Sequence, residues 1–152
     1  MNEHSFVRSI HRYLPPEVFS WKIHDTYTGG VPDAMYCGPA GLLFVEYKYV
    51  PTLPKRDDTL IRHSLSELQI QWLERVSGPA TAALVIGVEK TAVILKRDFA
   101  QNISRMHYLE QNITRQDVAE WIYSTTHSGR TNGQRPTSTR QKPKKDMGKE
   151  KS

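Results

Sequence analysis

Residues 82–88 read Ala-Ala-Leu-Val-Ile-Gly-Val, a run with no polar side chain, preceded by Gly78-Pro79 and followed by Glu89-Lys90. A short apolar run between turn signals suits a strand buried on both faces. Such a strand needs a covering layer on each side of its sheet, which commits the chain to a layered α/β arrangement. Thr91–Leu95 follows directly and reads as its neighbour across the turn at 89–90. A second strand is equally clear: over Leu42–Val50, Leu43, Val45, Tyr47 and Tyr49 alternate with Phe44, Glu46 and Lys48. That period of two is the signature of a pleated strand.

The other elements follow from breakers and caps. Phe6, Val7, Ile10 and Leu14 fall at helical spacing from Glu3 and stop at Pro15-Pro16, giving a short amphipathic helix. Val18–Tyr27 alternates around Phe19, Trp21 and Ile23 before Thr28-Gly29-Gly30 and reads as a strand, with a short extended piece over Val31–Cys37. Residues 51–63 read as a loop. Ser64 or Ser66 caps a helix to about Val76, with Leu65, Leu68, Trp72, Leu73 and Val76 as its apolar stripe. A short helix is expected near Asp98–Met106, and another over Thr114–Tyr123, where Thr114 and Asp117 have capping-box spacing. The expected fold is a mixed β-sheet flanked by helices.

Composition narrows the class. The 152 residues carry a net charge of +5, but unevenly. Residues 128–152 hold eight Lys/Arg and two acids, whereas residues 1–127 hold thirteen basic and fourteen acidic residues. The division expected is a folded domain over 1–127 and a disordered basic tail over 128–152, because the tail lacks the apolar surface to offset chain entropy. Lys142, Lys144 and Lys145 within it suit a polyanion such as nucleic acid; a merely solubilising tail is the plain alternative. No stretch is long and apolar enough to cross a bilayer, and Met1-Asn2-Glu3-His4 lacks the order of a secretion signal. The single cysteine, Cys37, excludes an internal disulfide and a cysteine-built zinc site. A cytoplasmic protein is expected, in the host cytoplasm if the source is viral. The six histidines lack zinc spacing, and Gly29-Gly30 has no following lysine of a phosphate loop, so no nucleotide cofactor is expected.

The chemistry lies at Pro32-Asp33 and Glu46-Tyr47-Lys48. Glu46 and Lys48 are two apart on one strand and share a face. A turn between the two segments can bring Asp33 beside Glu46. Two carboxylates so placed repel unless a divalent cation lies between them, and oxygen ligands suit Mg²⁺, with Mn²⁺ as a substitute. Lys48 beside them can stabilise charge on a phosphoryl transition state. The ordinary alternative is a solvated acid–lysine pair and a turn aspartate. Against it, Glu46 and Lys48 follow Leu42-Leu43-Phe44-Val45, and a charged pair in so apolar a strand needs a reason.

The pattern Asp33…Glu46-Tyr47-Lys48 resembles the signature of the PD-(D/E)XK nucleases, and the α-β-β-β-α-β order is similar to their restriction-endonuclease-like core. Ser66-Glu67-Leu68-Gln69-Ile70-Gln71-Trp72-Leu73 resembles the helix after the catalytic strand in VRR-NUC domains, the virus-type replication-repair nucleases. The resemblance covers about residues 1–97. It implies that Asp33 and Glu46 bind the metal with the Tyr47 carbonyl as a further ligand, that Lys48 is the catalytic lysine, and that Gln69 and Glu3 enter the site. Gln69 as a plain surface residue and Glu3 as a helix N-terminal acid are the alternatives. Trp72 reads as core rather than as a base-stacking platform. The implied activity is that of a Mg²⁺-dependent DNA endonuclease of the small stand-alone phage and bacterial kind. It would be selective for branched DNA or Holliday junctions, would serve recombination or repair, and would work as a homodimer. Ile103, Met106, Tyr108, Leu109, Trp121, Ile122 and Tyr123 offer apolar surface for that dimer. Lys55, Arg56 and Arg62, in the loop after the catalytic strand, are placed to grip DNA phosphates. Two other readings remain: a catalytically idle nucleic-acid-binding protein of the same fold, and a sequence-preferring restriction-type endonuclease.

Overall fold

The computed structural model describes residues 1–25 and 27–128. Helix α1 (Glu3–His11) starts at a cap in which Asn2 Oδ1 accepts from the Ser5 N–H and Ser5 Oγ accepts from the Asn2 N–H, both at 2.9 Å. Three strands follow as an antiparallel meander: β1 (Phe19–Lys22), β2 (Ala34–Gly38) and β3 (Gly41–Val50). β4 (Leu60–Ile61) precedes helix α2 (Glu67–Val76), which carries the chain over to β5 (Thr81–Val88), parallel to β3. β6 (Thr91–Leu95) pairs back antiparallel on β5 across Glu89-Lys90, with Glu89 at φ +52°. β7 (Ile103–Ser104), α3 (Arg105–Gln111), β8 (Ile113–Thr114) and α4 (Arg115–His127) complete the described chain. The main sheet has the order β1-β2-β3-β5-β6-β8, and β4 pairs with β7 in a separate two-stranded ribbon.

The two faces of the sheet bury separate cores. α1 and α4 cover one, where Phe6, Ile10, Tyr36, Val45, Tyr47 and Val85 pack together. Against the other face lie Leu84 and Ile86 of β5 with Leu73 of α2, Ile61, Phe99 and Tyr108. β5 therefore sends Val85 to one core and its neighbours to the other, as its unbroken apolar run requires. Its single glycine sits where a Cβ would meet the Phe6 ring at 2.5 Å, so Gly87 is the gap that lets α1 close on the sheet.

Several boundaries differ from the sequence expectation for local reasons. β1 is shorter than Val18–Tyr27 because Asp25 Oδ1 accepts from the backbone N–H groups of Tyr27 and Thr28, folding the chain into an Asx turn. The helix expected near Asp98–Met106 begins only at Arg105: Asp98 sits at φ +54°, and residues 103–104 pair with 60–61 before Ser104 caps α3. The span 51–63 is accordingly not all loop. Leu68 belongs to no core; it lies in the first turn of α2, exposed and leaning on the Gly29 backbone. Ile103, Tyr108 and Ile122 are buried within the protomer, which corrects their assignment to a dimer surface; Met106, Leu109 and Tyr123 remain exposed. Thr114 and Asp117 form the expected capping box. Among the described residues no helix is long and apolar enough to cross a membrane. The basic tail, with Lys142, Lys144 and Lys145, lies outside the described residues from 129 onward.

Candidate active site

Antiparallel pairing of β2 and β3 sets Ala34 opposite Val45. One step further along this register Asp33 meets Glu46, at the point where β2 leaves the sheet. The main chain of β3 continues, and the Asp33 carboxylate takes the place of the missing strand: Oδ2 accepts from the Tyr47 N–H at 2.8 Å. Asp33 is thereby fixed by the strand that carries Glu46 and Lys48.

Glu46 points to the α2 side and is 2% exposed. Gln69 Nε2 donates to Glu46 Oε1 at 2.7 Å, and Lys48 Nζ lies 3.4 Å from the same oxygen. Gln69 reaches the site because its Oε1 and backbone N–H are both used at the helix start: Oε1 accepts from the Ser66 N–H at 2.9 Å, and its own N–H donates to Ser66 Oγ at 3.2 Å. The capping box thus sets the direction of the side chain that meets Glu46. Gly30 holds the loop ahead of Asp33 against this same helix. It adopts φ +83°, and a Cβ there would stand 2.5 Å from the Leu68 carbonyl.

The other oxygen, Glu46 Oε2, is buried and has no hydrogen-bond partner. A buried carboxylate left half satisfied is costly. Burial first, and then the nearby Asp33 carboxylate, push the Glu46 carboxyl up to about 8 despite the opposing pull of Lys48. Glu3, at the start of α1, is an exposed residue whose carboxyl is also raised, chiefly by partial burial and next by Asp33, while Lys48 pulls it down. Three carboxylates and one ammonium therefore share one electrostatic neighbourhood. Among the described residues no three His, Cys, Asp or Glu side chains stand close enough to hold an ion by themselves. Asp33 and Glu46 are two oxygen donors with a vacant buried lone pair. That fits an ion such as Mg²⁺, which keeps several waters and takes only one or two protein carboxylates.

Asp33, Glu46, Lys48, Gln69 and Glu3 are brought together. Lys55, Arg56 and Arg62 are not part of this cluster. Lys55 and Arg56 line a separate surface depression with Asp57, Asp58, Ser104 and Met106. Arg56 is paired with Asp58 at 3.3 Å, while Arg62 is exposed before α2. Trp72 packs its ring edge-on against Phe44, with centroids 5.0 Å apart, as a half-buried wall of the sheet. Cys37 is only partly buried.

Two features escaped the sequence reading. One is a buried hydrogen-bond chain behind β3: His11 Nε2 to the Tyr36 hydroxyl, and that hydroxyl to Tyr47, each at 2.7 Å. Burial lowers the His11 pKa and raises that of both tyrosines. No spacing rule links residues on three different elements, so only the fold reveals it. The other is a cleft of about 340 Å³ between α1 and β1, lined by Glu3 and Asp33 together with His4, Arg8 and Lys22. Its signal was present in the helical spacing of His4, Arg8 and His11.

Neither a family model nor a curated protein sequence matches the chain. Among solved structures, it is similar to the 1.6 Å structure of Hjc from Archaeoglobus fulgidus, a Holliday junction resolvase from an archaeal hyperthermophile. The two are 14% identical, with a TM-score of 0.50, and the match covers 79% of this chain and 97% of that one. What this likeness shows is the fold: the chain has a restriction-endonuclease-type mixed α/β fold of the Hjc kind, with a six-stranded sheet flanked by four helices among the described residues.

Proposed function

We propose that the protein is a metal-dependent DNA endonuclease of the PD-(D/E)XK type that acts on branched DNA, four-way junctions included. The observation that carries this reading is the state of Glu46: buried, opposed by Asp33, held by Gln69 and Lys48 on one oxygen, and bare on the other. An apolar strand carries such a group at a cost that a retained proton or a bound cation must offset. Mg²⁺ at Asp33 and Glu46, with the Tyr47 carbonyl as a further donor, would polarise a phosphate and lower the pKa of an attacking water. The Tyr47 N–H holds the Asp33 carboxylate in place, and Gln69 fixes the rotamer of Glu46. Lys48, partly exposed beside Glu46, is placed to neutralise charge that builds on a phosphate oxygen as the 3′ oxygen leaves. Glu3 orients water from the α1 side. The capping-box Gln69 supports a VRR-NUC affiliation within the wider class. The Hjc likeness supports a junction substrate, a role in recombination or repair, and a homodimer, since symmetric cleavage needs two sites related by a two-fold axis. The protein's site of action in this reading is the cytoplasm, or the host cytoplasm if the source is viral.

The test is cleavage of labelled linear, flapped and four-way DNA with Mg²⁺ or with EDTA. The expected result is Mg²⁺-dependent incision of the branched substrates, lost in Asp33→Asn. DNA binding without incision under any divalent cation would leave a nucleic-acid-binding protein and sink the enzyme.

A further inference from the structure

The cleft between α1 and β1 is built differently from the carboxylate site it adjoins. Glu3 and Asp33 stand at one end with His4 and Lys22 beside them, Lys22 pairing with Ala34 next to Asp33; further along, α1 contributes Arg8 and His11 and β1 contributes Ser20. His4, Arg8 and His11 recur at helical spacing, so they line one face of α1. Ser20 and Lys22, two apart, line the facing side of β1. Lys22 Nζ lies 3.5 Å from His4 Nδ1. Arg8 and Lys22 are exposed, and neither is paired with a carboxylate among the described residues. The floor, with Val7, Ala34 and Tyr47, is largely apolar.

We propose that this cleft seats a single nucleic-acid strand beside the scissile phosphate, with Arg8 and Lys22 on successive backbone phosphates. The inference rests on the nuclease reading for where the scissile phosphate lies, and it assigns the side from which the strand leaves. From His4 to His11 a helix rises roughly 10 Å, which at about 3.4 Å per nucleotide of a stacked strand spans two or three phosphates. The polarity fits the same ligand. The carboxylates stand at the end where a cation would offset them, and Lys22 beside them and Arg8 one turn further along α1 have no carboxylate partner among the described residues, which leaves both for phosphates. A helix on one wall and a strand on the other leave room for one backbone, which suits a flap or a strand splayed from its duplex at a branch point.

The test is anisotropy of a short fluorescein-labelled oligothymidylate titrated with the full chain in EDTA, over a series of salt concentrations. Arg8→Gln/Lys22→Gln is expected to weaken binding about tenfold and to flatten the slope of log affinity against log salt by about 1.4, the loss of two single-strand phosphate contacts. Arg75→Gln/Arg97→Gln removes the same charge from exposed positions outside the cleft and should change both quantities little. Arg8→Lys/Lys22→Arg keeps the charge and should restore the slope. Equal losses in the two glutamine pairs, or none in either, would overturn the assignment. Because the readout is binding without metal, it separates from the nuclease reading. A wild-type protein that cuts nothing yet loses this affinity in Arg8→Gln/Lys22→Gln keeps the cleft and rejects the enzyme. One that cuts junctions with unchanged oligothymidylate binding in that variant does the reverse.

Discussion

The two faces of β3 bury polar groups in opposite ways. On the α1/α4 face, the Tyr47 hydroxyl is sealed in an apolar core but hydrogen-bonded to Tyr36, which is bonded in turn to His11. On the α2 face, Glu46 is just as inaccessible, yet one of its oxygens has no partner. A buried polar chain whose members are satisfied rigidifies a fold. A buried carboxyl left half satisfied weakens it and is relieved by a retained proton or by a ligand. The same strand thus carries a structural network on one side and the candidate site on the other, and substitutions on the two sides should fail differently.

The largest difference is expected in cleavage. Glu46→Gln and Asp33→Asn should abolish incision while leaving DNA binding intact or tighter, because each removes a carboxylate that repels phosphate. Full activity in either variant, with an unchanged circular dichroism spectrum, would move the site elsewhere. Stability should respond in the opposite sense. Glu46 has its pKa raised from the ordinary carboxylate range to about 8. The folded protein therefore retains a proton that the unfolded chain releases, and stability falls as pH rises across the window from about 4.5 to 8. Without metal, Glu46→Gln escapes that loss, so it should melt roughly 4 °C or more above wild type at pH 8 and level with it at pH 4. Mg²⁺ should raise the melting temperature of wild type at pH 8 but not that of Glu46→Gln. A Mg²⁺ shift of equal size in both proteins would separate Glu46 from the metal.

Lys48 comes next. Lys48→Ala should slow cleavage on the order of a hundredfold, the usual cost of one preorganised transition-state contact, and should leave Mg²⁺ binding measurable by calorimetry. Loss of fold together with metal binding would make Lys48 a structural partner of Glu46.

The juxtaposition of the candidate residues was more legible in sequence than the elements around them, for a physical reason. Asp33, Glu46 and Lys48 are tied by strand periodicity and one short meander, so local rules bring them together. Gln69 was accessible because a capping box fixes a side chain relative to its own helix. The β4–β7 ribbon, the late start of α3 and the His11–Tyr36–Tyr47 chain depend on contacts between distant segments that no local pattern encodes. The apolar residues after position 98 looked like surplus because their partners are spread along the whole chain. Ile103 and Tyr108 join the core under α2 and β5, and Ile122 joins the opposite one.

On the satisfied face, the effect should be on stability alone. Tyr47→Phe removes a hydroxyl from the buried chain and leaves Tyr36 with His11 as its remaining partner. Destabilisation of about 1–2 kcal/mol is expected, with cleavage below the melting range unchanged. A tenfold fall in rate without loss of stability would mean that the chain tunes the site through β3, and the division between the faces would not hold.

The smallest effect is expected where charge density alone drew attention. Lys55, Arg56 and Arg62 lie close to Asp57 and Asp58 in sequence, Arg56 pairs with Asp58, and Arg105 pairs with Asp57. Exposed pairs of this kind contribute little to stability, but they cancel the local field that a phosphate would meet. Arg8 and Lys22 have no such carboxylate among the described residues. Replacing Lys55, Arg56 and Arg62 together by Gln removes three positive charges, one more than Arg8→Gln/Lys22→Gln, yet should lower DNA affinity less and flatten the salt dependence by less than about one unit. The comparison is made on the same four-way junction, by anisotropy over a salt series. If the loop variant loses more affinity per charge than the cleft variant, the loop carries the DNA contact, and its acids serve to hold the loop in shape rather than to cancel its charge.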